Sequence, residues 1–280
     1  MIRRLVILAA LTLPAAAQTA SPGPRDPFAR WLSYNTRGWA AVYKKDLPRA
    51  ESLFRTCIEA AREESATDPR LLARSYADLA WVLHLTGRAD QARPLARWAL
   101  TVREAYQPET YAHAQCLYFN AAIEADLGRP DRAAEYMTRA LPIVREQLVR
   151  GVELSRYRDV LARACLDLRR LDDADGLYSE NLDVDPAVLA ADDPLRLAAL
   201  DGRAAVALAR GDLEHAVEFY RREADAEAQS SPRHPDLAKT LAKLADACRR
   251  AGRAAEAEAA EAQIRSLGGG PAPPRPGPST

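Results

Sequence analysis

The sequence lacks the short motifs that identify many classes of enzyme. It contains no His-Glu-x-x-His, no paired-cysteine motif and no glycine-rich phosphate loop, the patterns that hold catalytic zinc, structural metals or nucleotide phosphates. Aromatic residues make up only 6% of the chain, and its formal net charge is +0. Because neither sign of charge predominates, no global field favours nucleic acid or an anionic membrane. We therefore predict a protein that is not an enzyme, with no cofactor, no metal and no nucleic-acid partner.

The beginning of the chain has an apolar run, but a short one. Leu5–Leu13 falls well below the roughly 20 residues that a membrane-spanning helix needs. Arg3 and Arg4 precede this run, and three alanines end at Ala17. A positive start, a short apolar core and a small-residue end are typical of a secretory signal. We expect residues 1–17 to be removed on export to the periplasm or the medium, leaving no membrane anchor.

Alanine, by contrast, recurs at a fixed period. The marker alanines are Ala50, Ala92, Ala133, Ala174, Ala216 and Ala257, which follow one another at intervals of 42, 41, 41, 42 and 41 residues. Such a period indicates stacked repeats rather than one globular core. Just before Ala92, an apolar run ends at Gly87 and is followed by Asp90. We expect the glycine to end one helix in the left-handed conformation and Asp90 to cap the next.

Small residues also occupy the position twelve before each marker. They are Gly38, Ala80, Ala121, Ala162, Ala204 and Ala245. Larger apolar residues recur around both positions at helical spacing, for example Tyr76, Leu79 and Leu83. Two small residues where paired helices cross allow their backbones to approach closely. The pattern therefore predicts six helix pairs, each with a tight crossing.

A small residue, a Gly-x-x-x-x-Ala hinge and an aromatic residue or leucine four positions on together resemble the tetratricopeptide repeat. The period of 41–42 residues is longer than the common 34 and is similar to that of kinesin light chains and their bacterial relatives. Segments 139–146 (RALPIVRE) and 234–245 (HPDLAKTLAKLA) show the same likeness. The resemblance implies an all-α, right-handed superhelical solenoid of about six helix pairs over residues 28–267. It also implies that the first helices line a concave groove for a protein or peptide.

The chain departs from this pattern in three respects. Lys45 and Arg169 replace the hinge glycine in repeats one and four. Repeat four also has Arg158 at an otherwise apolar position and a long connection, 183–193, after its second helix. The paired asparagines of kinesin-type repeats are mostly missing, so a clamp on the backbone of a ligand is not expected.

The residues with reactive side chains have structural explanations. We expect His84 to be solvated, and His113 and His234 to lie in turns. Two aspartate pairs, at 172–173 and 192–193, precede predicted helices, where capping accounts for them. The four cysteines, Cys57, Cys116, Cys165 and Cys248, fall in registers too far apart for the roughly 7 Å that a disulfide spans between Cα atoms. We expect four unpaired core thiols.

The predicted groove residues lie 18, 15 or 11 positions before the markers on the first helices. The predicted partner-binding residues are Asn35, Trp39, Arg74, Trp81, Gln115, Tyr118, Arg156, Asp159 and Arg163. Trp39 and Trp81 occupy the same slot in successive repeats, with Tyr118 as the next member of a ladder. Tryptophan beside arginine is typical of interaction hot spots, whereas packing of both tryptophans between helices is the alternative.

These patterns favour an exported, non-enzymatic scaffold that binds a protein or peptide in its groove. The predicted organisation is a signal peptide (1–17), a lead-in (18–27), the solenoid (28–267) and a proline- and glycine-rich tail (268–280). Two alternatives remain open. One is a structural repeat protein that assembles with itself, and the other is a regulatory or sensor partner of a separate effector chain.

Overall fold

The computed structural model describes residues 26–64, 68–147, 151–231 and 235–268. All of the regular elements in these ranges are helices. They are α1 (Pro27–Tyr43), α2 (Leu47–Glu64), α3 (Pro69–Leu85), α4 (Ala89–Tyr106), α5 (Tyr111–Asp126), α6 (Pro130–Gln147), α7 (Val152–Asp167), α8 (Leu171–Leu182), α9 (Pro194–Arg210), α10 (Leu213–Ser230), α11 (Leu237–Arg250) and α12 (Ala254–Gly268). The predicted signal peptide, most of the lead-in and nearly all of the tail lie outside the described residues.

The chain divides after Pro108 into two compact units, α1–α4 and α5–α12. Within each unit every helix packs against the next one along the chain. The first unit contains repeats one and two, and the second contains repeats three to six. The predicted all-α arrangement of six helix pairs is therefore confirmed.

The two predicted small-residue positions form the crossings of the helix pairs. All six marker alanines are buried, with at most 3% of their surface exposed. The small residues twelve before them are buried as well. At Gly38 an added Cβ would lie 2.5 Å from Cε1 of Phe54, so a larger residue there would require the helices to separate. Small residues thus allow the close approach that the sequence predicts.

The hinge uses the same backbone conformation in every repeat. Gly87 has a φ of 73°, and its three glycine counterparts have φ of 69° to 78°. Lys45 and Arg169, which replace the glycine, both have a φ of 60°. In the second repeat the N–H of Arg88 donates to the carbonyl of Leu83 at 2.8 Å, which closes a Schellman motif. The equivalent bond occurs in the other five repeats, so the glycine-free hinges keep the geometry at some cost in strain.

Two capping predictions were wrong. The N-cap of α4 is Arg88, without a side-chain cap, and Asp90 lies inside the first turn. Asp172 and Asp173 also lie inside a first turn, that of α8. Negative charge in a first turn still interacts favourably with the helix dipole, which explains aspartate at these positions.

The other aspartate pair behaves as predicted at one residue. Asp193 caps α9 by accepting the N–H of Leu195 at 2.9 Å. Asp192 instead accepts the hydroxyl of Ser230 at 2.6 Å, and so joins the connection after α8 to the end of α10.

The long connection of repeat four is present and is tied to the following helix. Leu189, in its middle, is fully buried. The guanidinium of Arg196, in α9, donates to the carbonyls of Leu189 and Leu182 at 3.1 and 3.0 Å. Arg158, the unexpected arginine of α7, forms an ion pair with Glu180 at 2.8 Å.

The cysteine prediction is confirmed, whereas one of the histidine predictions is wrong. All four cysteines are buried, and no disulfide joins any two of them. His113 lies within α5 rather than in a turn, and it is buried. Its Nδ1 accepts the backbone N–H of Glu109 at 3.1 Å, which fixes the start of α5. His84 is half-buried in α3 against the Trp81 ring, and His234 lies outside the described residues.

Candidate partner-binding faces

The nine predicted groove residues fall into two groups, one in each unit. Asn35 and Trp39 on α1 belong with Arg74 and Trp81 on α3, a set that we call the α1–α3 face. The remaining five belong to the second unit and form the α5–α7 face. They are Gln115, Tyr118, Arg156, Asp159 and Arg163. The predicted ladder from Trp39 through Trp81 to Tyr118 stays a prediction.

The α1–α3 face is built on a buried carboxylate that the sequence analysis did not single out. Asp78 in α3 is fully buried. The side-chain amide of Asn35 donates to it at 2.6 Å, and the guanidinium of Arg74 does so at 3.1 Å. Burial raises the pKa of Asp78, and Arg74, Asn35 and the Trp39 indole lower it in part. These groups join α1 to α3, and Asn35 is a buried structural partner of Asp78 rather than an exposed contact residue.

A second polar contact joins the same two helices nearer their beginnings. The indole N–H of Trp31 donates to the hydroxyl of Ser75 at 2.8 Å, and both residues are buried. Together with the Asn35–Asp78 bond, this contact holds α1 and α3 in a fixed register. A fixed register places Trp39 and Trp81 reproducibly, which a preformed binding face requires.

The two tryptophans of this face are half-buried. The Trp39 ring lies 5.8 Å from that of Phe54 in an edge-on arrangement and 6.3 Å from that of Tyr43. The Trp81 ring lies 4.8 Å from the His84 ring. Each indole therefore packs one side on its own unit and leaves part of its surface to solvent, an arrangement that combines features of the two interpretations.

The α5–α7 face combines aromatic rings with arginines. The Tyr118 and Tyr157 rings are 4.9 Å apart. Burial raises the pKa of Tyr118, and the charges of Arg156 and Arg163 lower it in part. Both arginines are thus close enough to the phenol to act on it, so the face combines half-buried aromatic surface with positive charge.

The charges of this face are paired within α7. Arg163 binds Asp159 at 2.7 Å, and Arg156 binds Glu153 at 3.0 Å. Asp159 is itself buried, and burial raises its pKa against the opposing effect of Arg163. Asp159 was predicted to be an exposed groove residue, and the structure instead makes it a buried anchor for an exposed arginine.

Among the residues that the structure describes, no cluster of three or more histidine, cysteine, aspartate or glutamate side chains is arranged to hold a metal ion. Within the same ranges, no helix is both long and apolar enough to cross a membrane.

Comparison with known proteins bears on the repeats themselves. The sequence model of the tetratricopeptide repeat matches residues 30–105. The crystal structure of BtubC (BKLC) from P. vanneervenii is 22% identical, covers 84% of this chain and 97% of its own, and gives a TM-score of 0.66. This chain has the fold of a tetratricopeptide-repeat protein. Among curated proteins, none matches this sequence.

Other solved structures share this fold. A putative kinesin light chain from Podosopora anserina, with nearly identical TPR-like repeats, is 22% identical. It covers 72% of this chain and 97% of its own, with a TM-score of 0.62. A Rap protein complexed with competence and sporulation factor is 14% identical, covers 86% of this chain and 75% of its own, and has a TM-score of 0.58. The predicted likeness to kinesin-type repeats is therefore confirmed at the level of the fold.

Proposed function

We propose that this chain is an exported, non-enzymatic scaffold that holds a segment of another protein against the first helices of its repeats. The fold supports the proposal because a structure that shares it, the Rap protein, is complexed with competence and sporulation factor. The observation that carries it is the α1–α3 face, where two half-buried tryptophans accompany Arg74 on a rigid support.

The tryptophans would supply most of the binding energy. A large apolar ring that is already half packed loses little conformational freedom when a partner covers it, so ring burial is converted into affinity efficiently. Arg74 keeps about 35% of its side chain exposed while it binds Asp78. A partner with an apolar or aromatic side chain beside a carboxylate or a carbonyl group would fit this face.

The α5–α7 face would favour the same chemistry. Arg156 and Arg163 expose 46% and 63% of their side chains, and each is paired with a carboxylate one turn away on its own helix. The Arg156–Glu153 pair is partly exposed on both sides and contributes about 0–1 kcal/mol, so an acidic group of a partner could replace Glu153 at little cost. Arg163 would keep its bond to the buried Asp159 and meet the partner with its exposed part. The half-buried Tyr118 ring would cover its apolar part.

The test is capture of partners from the exported fraction by the purified chain that starts at Gln18. The Trp39→Ala/Trp81→Ala variant should lose its partner, since truncation of one anchoring tryptophan costs about 2 kcal/mol or more, roughly thirtyfold in affinity. Trp98→Ala is the matched control because Trp98 is 40% exposed but lies on the second helix α4. It should bind like the parent.

The results separate the two interpretations of the tryptophans. Loss of the partner at an unchanged melting temperature supports the binding face. Normal capture by a double variant that melts far lower would show that the rings are core residues and would refute the proposed site. Gel filtration of the free chain at high concentration tests the alternative of self-assembly. A self-assembling repeat protein would elute earlier than a monomer, at a larger apparent mass.

Export has its own test. The intact mass of the exported protein should correspond to a chain that begins at Gln18, because the apolar run is too short to remain as an anchor. Retention of Met1 would refute the signal peptide without affecting the binding face.

A further inference from the structure

The junction of repeats five and six contains a carboxylate in an unusual environment. Glu223 on α10 is 6% exposed. Among the residues that the structure describes, its Oε1 has only a long contact, 3.5 Å, from the Thr240 hydroxyl on α11, and its Oε2 has no hydrogen-bond partner. Most buried polar atoms in proteins are hydrogen-bonded, and each exception calls for an explanation. A carboxylate oxygen left in this state is suited to accept a donor that the free chain does not supply.

Further carboxylates surround Glu223. Asp201 on α9 and Glu227 on α10 both act on it with negative charge. Lys243 on α11 opposes them with positive charge. The ammonium of Lys243 binds Asp201 at 2.5 Å and lies 5.8 Å from the centre of the Tyr220 ring. A single lysine thus faces several carboxylates, and its bond is to the outermost of them.

This arrangement resembles a cation-binding site in which the ammonium of Lys243, from the chain itself, takes part of the place of a ligand. Lys243 is about 45% exposed and Asp201 about 41%, so both can move aside. Below them Tyr220 is 5% exposed, and its ring face attracts cations. We propose that Asp201, Glu223 and the Tyr220 ring form a recess for a basic side chain of the partner protein, and that Lys243 occupies its entrance in the free chain.

This proposal rests on the proposed scaffold function, and it specifies that one side chain of the partner protein is basic. An arginine suits the recess best, because its planar guanidinium can donate to two carboxylates and stack on an aromatic ring together. When the arginine enters the recess, the ion pair between Lys243 and Asp201 breaks and the Lys243 side chain moves into solvent. The unpartnered oxygen of Glu223 then gains a charged donor.

Binding should be coupled to a proton. Burial, with help from Asp201 and Glu227, raises the pKa of Glu223 to about 8, while Lys243 and Thr240 lower it in part. Glu223 is therefore mostly neutral at pH 7 in the free chain, and an entering cation displaces its proton. Since the ionised fraction rises from about a tenth at pH 7 to a half at pH 8, binding should tighten roughly fivefold between these pH values.

The experiment uses a defined probe, the capped peptide Ala-Ala-Arg-Arg-Ala-Ala, and its citrulline analogue, which has the same shape without the charge. Calorimetry on the mature chain should show binding of the arginine peptide alone, with proton release that depends on the buffer. Lys243→Met should bind several-fold more tightly because the internal competitor is gone. Lys239→Met is the matched control, since Lys239 lies one turn away on α11 and is 77% exposed; it should bind like the parent.

Glu223→Gln is the decisive variant, because it keeps the shape of the side chain and removes its charge. It should lose the affinity and the proton release while it melts no lower than the parent at pH 8. Equal binding by this variant, or no binding by both the parent and Lys243→Met, would overturn the recess. Spermidine is a further probe, and affinity for it equal to that for the peptide would overturn a protein side chain as the ligand. None of these results involves Trp39 or Trp81, so the recess and the scaffold function can fail separately.

Discussion

Gly202→Ala would test how closely the helices of one pair must approach. Gly202 lies in α9, and a Cβ added there would be 2.2 Å from Cζ and 2.4 Å from Cε2 of Tyr178 in α8. Such distances are far inside van der Waals contact, and Tyr178 is itself 1% exposed. Because the ring has nowhere to move without displacing its neighbours, the overpacking should cost about 1–3 kcal/mol.

The higher helix propensity of alanine offsets part of this loss of stability. Alanine is favoured over glycine inside a helix by about 0.5–1 kcal/mol. Gly176→Ala measures that effect alone, since Gly176 lies in the middle of α8 and a Cβ there would meet none of the described residues within 4 Å. We expect Gly176→Ala to raise stability and Gly202→Ala to lower it. The difference between the two variants, about 1–3 kcal/mol, then reports the clash.

Urea unfolding followed by far-ultraviolet circular dichroism measures both variants. All four tryptophans lie in α1–α4, so their fluorescence reports on the first unit and serves as an internal reference. Tyr178→Leu should relieve the clash in the Gly202→Ala background, with a coupling of about 0.5–3 kcal/mol. If Gly202→Ala gains as much stability as Gly176→Ala, the close approach of α8 and α9 is refuted.

Three further predictions follow from the packing and the charges. Titration of denatured, unreduced protein should find about four free thiols, because the register places the cysteines beyond bridging distance, and two or none would contradict that register. Removal of residues 268–280 should leave the melting temperature unchanged, whereas truncation at Arg253 removes α12 from the Leu241, Leu244 and Cys248 cluster and should cause aggregation. The raised pKa of Glu223, about 8 against about 4.3 for an unfolded glutamate, means that the folded state holds a proton which the unfolded chain has lost. Stability should therefore fall as the pH rises from 5 to 8, and Glu223→Gln should reduce this fall.

The repeat geometry could be predicted because it depends on residue size at a fixed register. A small residue twelve before each marker and an alanine at the marker are requirements of steric contact, and they recur in all six repeats. The left-handed hinge was harder, because Lys45 and Arg169 are not residues that favour a positive φ. They adopt it because the Schellman bond and the packing of the flanking helices outweigh the local strain.

The candidate site was less predictable because side-chain pairing depends on contacts between repeats. The register marks Asn35 and Asp159 as groove positions, yet both are buried. Asn35 is buried because it donates to Asp78 in the next repeat, whereas the partner of Asp159, Arg163, lies one turn away on the same helix. Local spacing gives the face of a helix that a residue occupies. It does not say which polar group of another repeat lies opposite.

The repeat register also shows why Glu223 is buried, once the burial of the equivalent residues in other repeats is known. The slot seven after the marker holds Cys57, Ala99, Ala140 and Asn181 in the other buried cases, each with no exposed surface. A glutamate in this slot is therefore placed in the core by the helices around it, and the cost of burying its charge is offset only by neutralisation or by a cation. A repeat fold constrains backbone positions more strongly than side-chain identities, so a charged residue at a core position of one repeat is a departure that packing alone does not explain. In this chain, that departure coincides with the exposed pair of Lys243 and Asp201, which is why the recess, and not the regular part of the array, is where we expect selectivity for a particular partner.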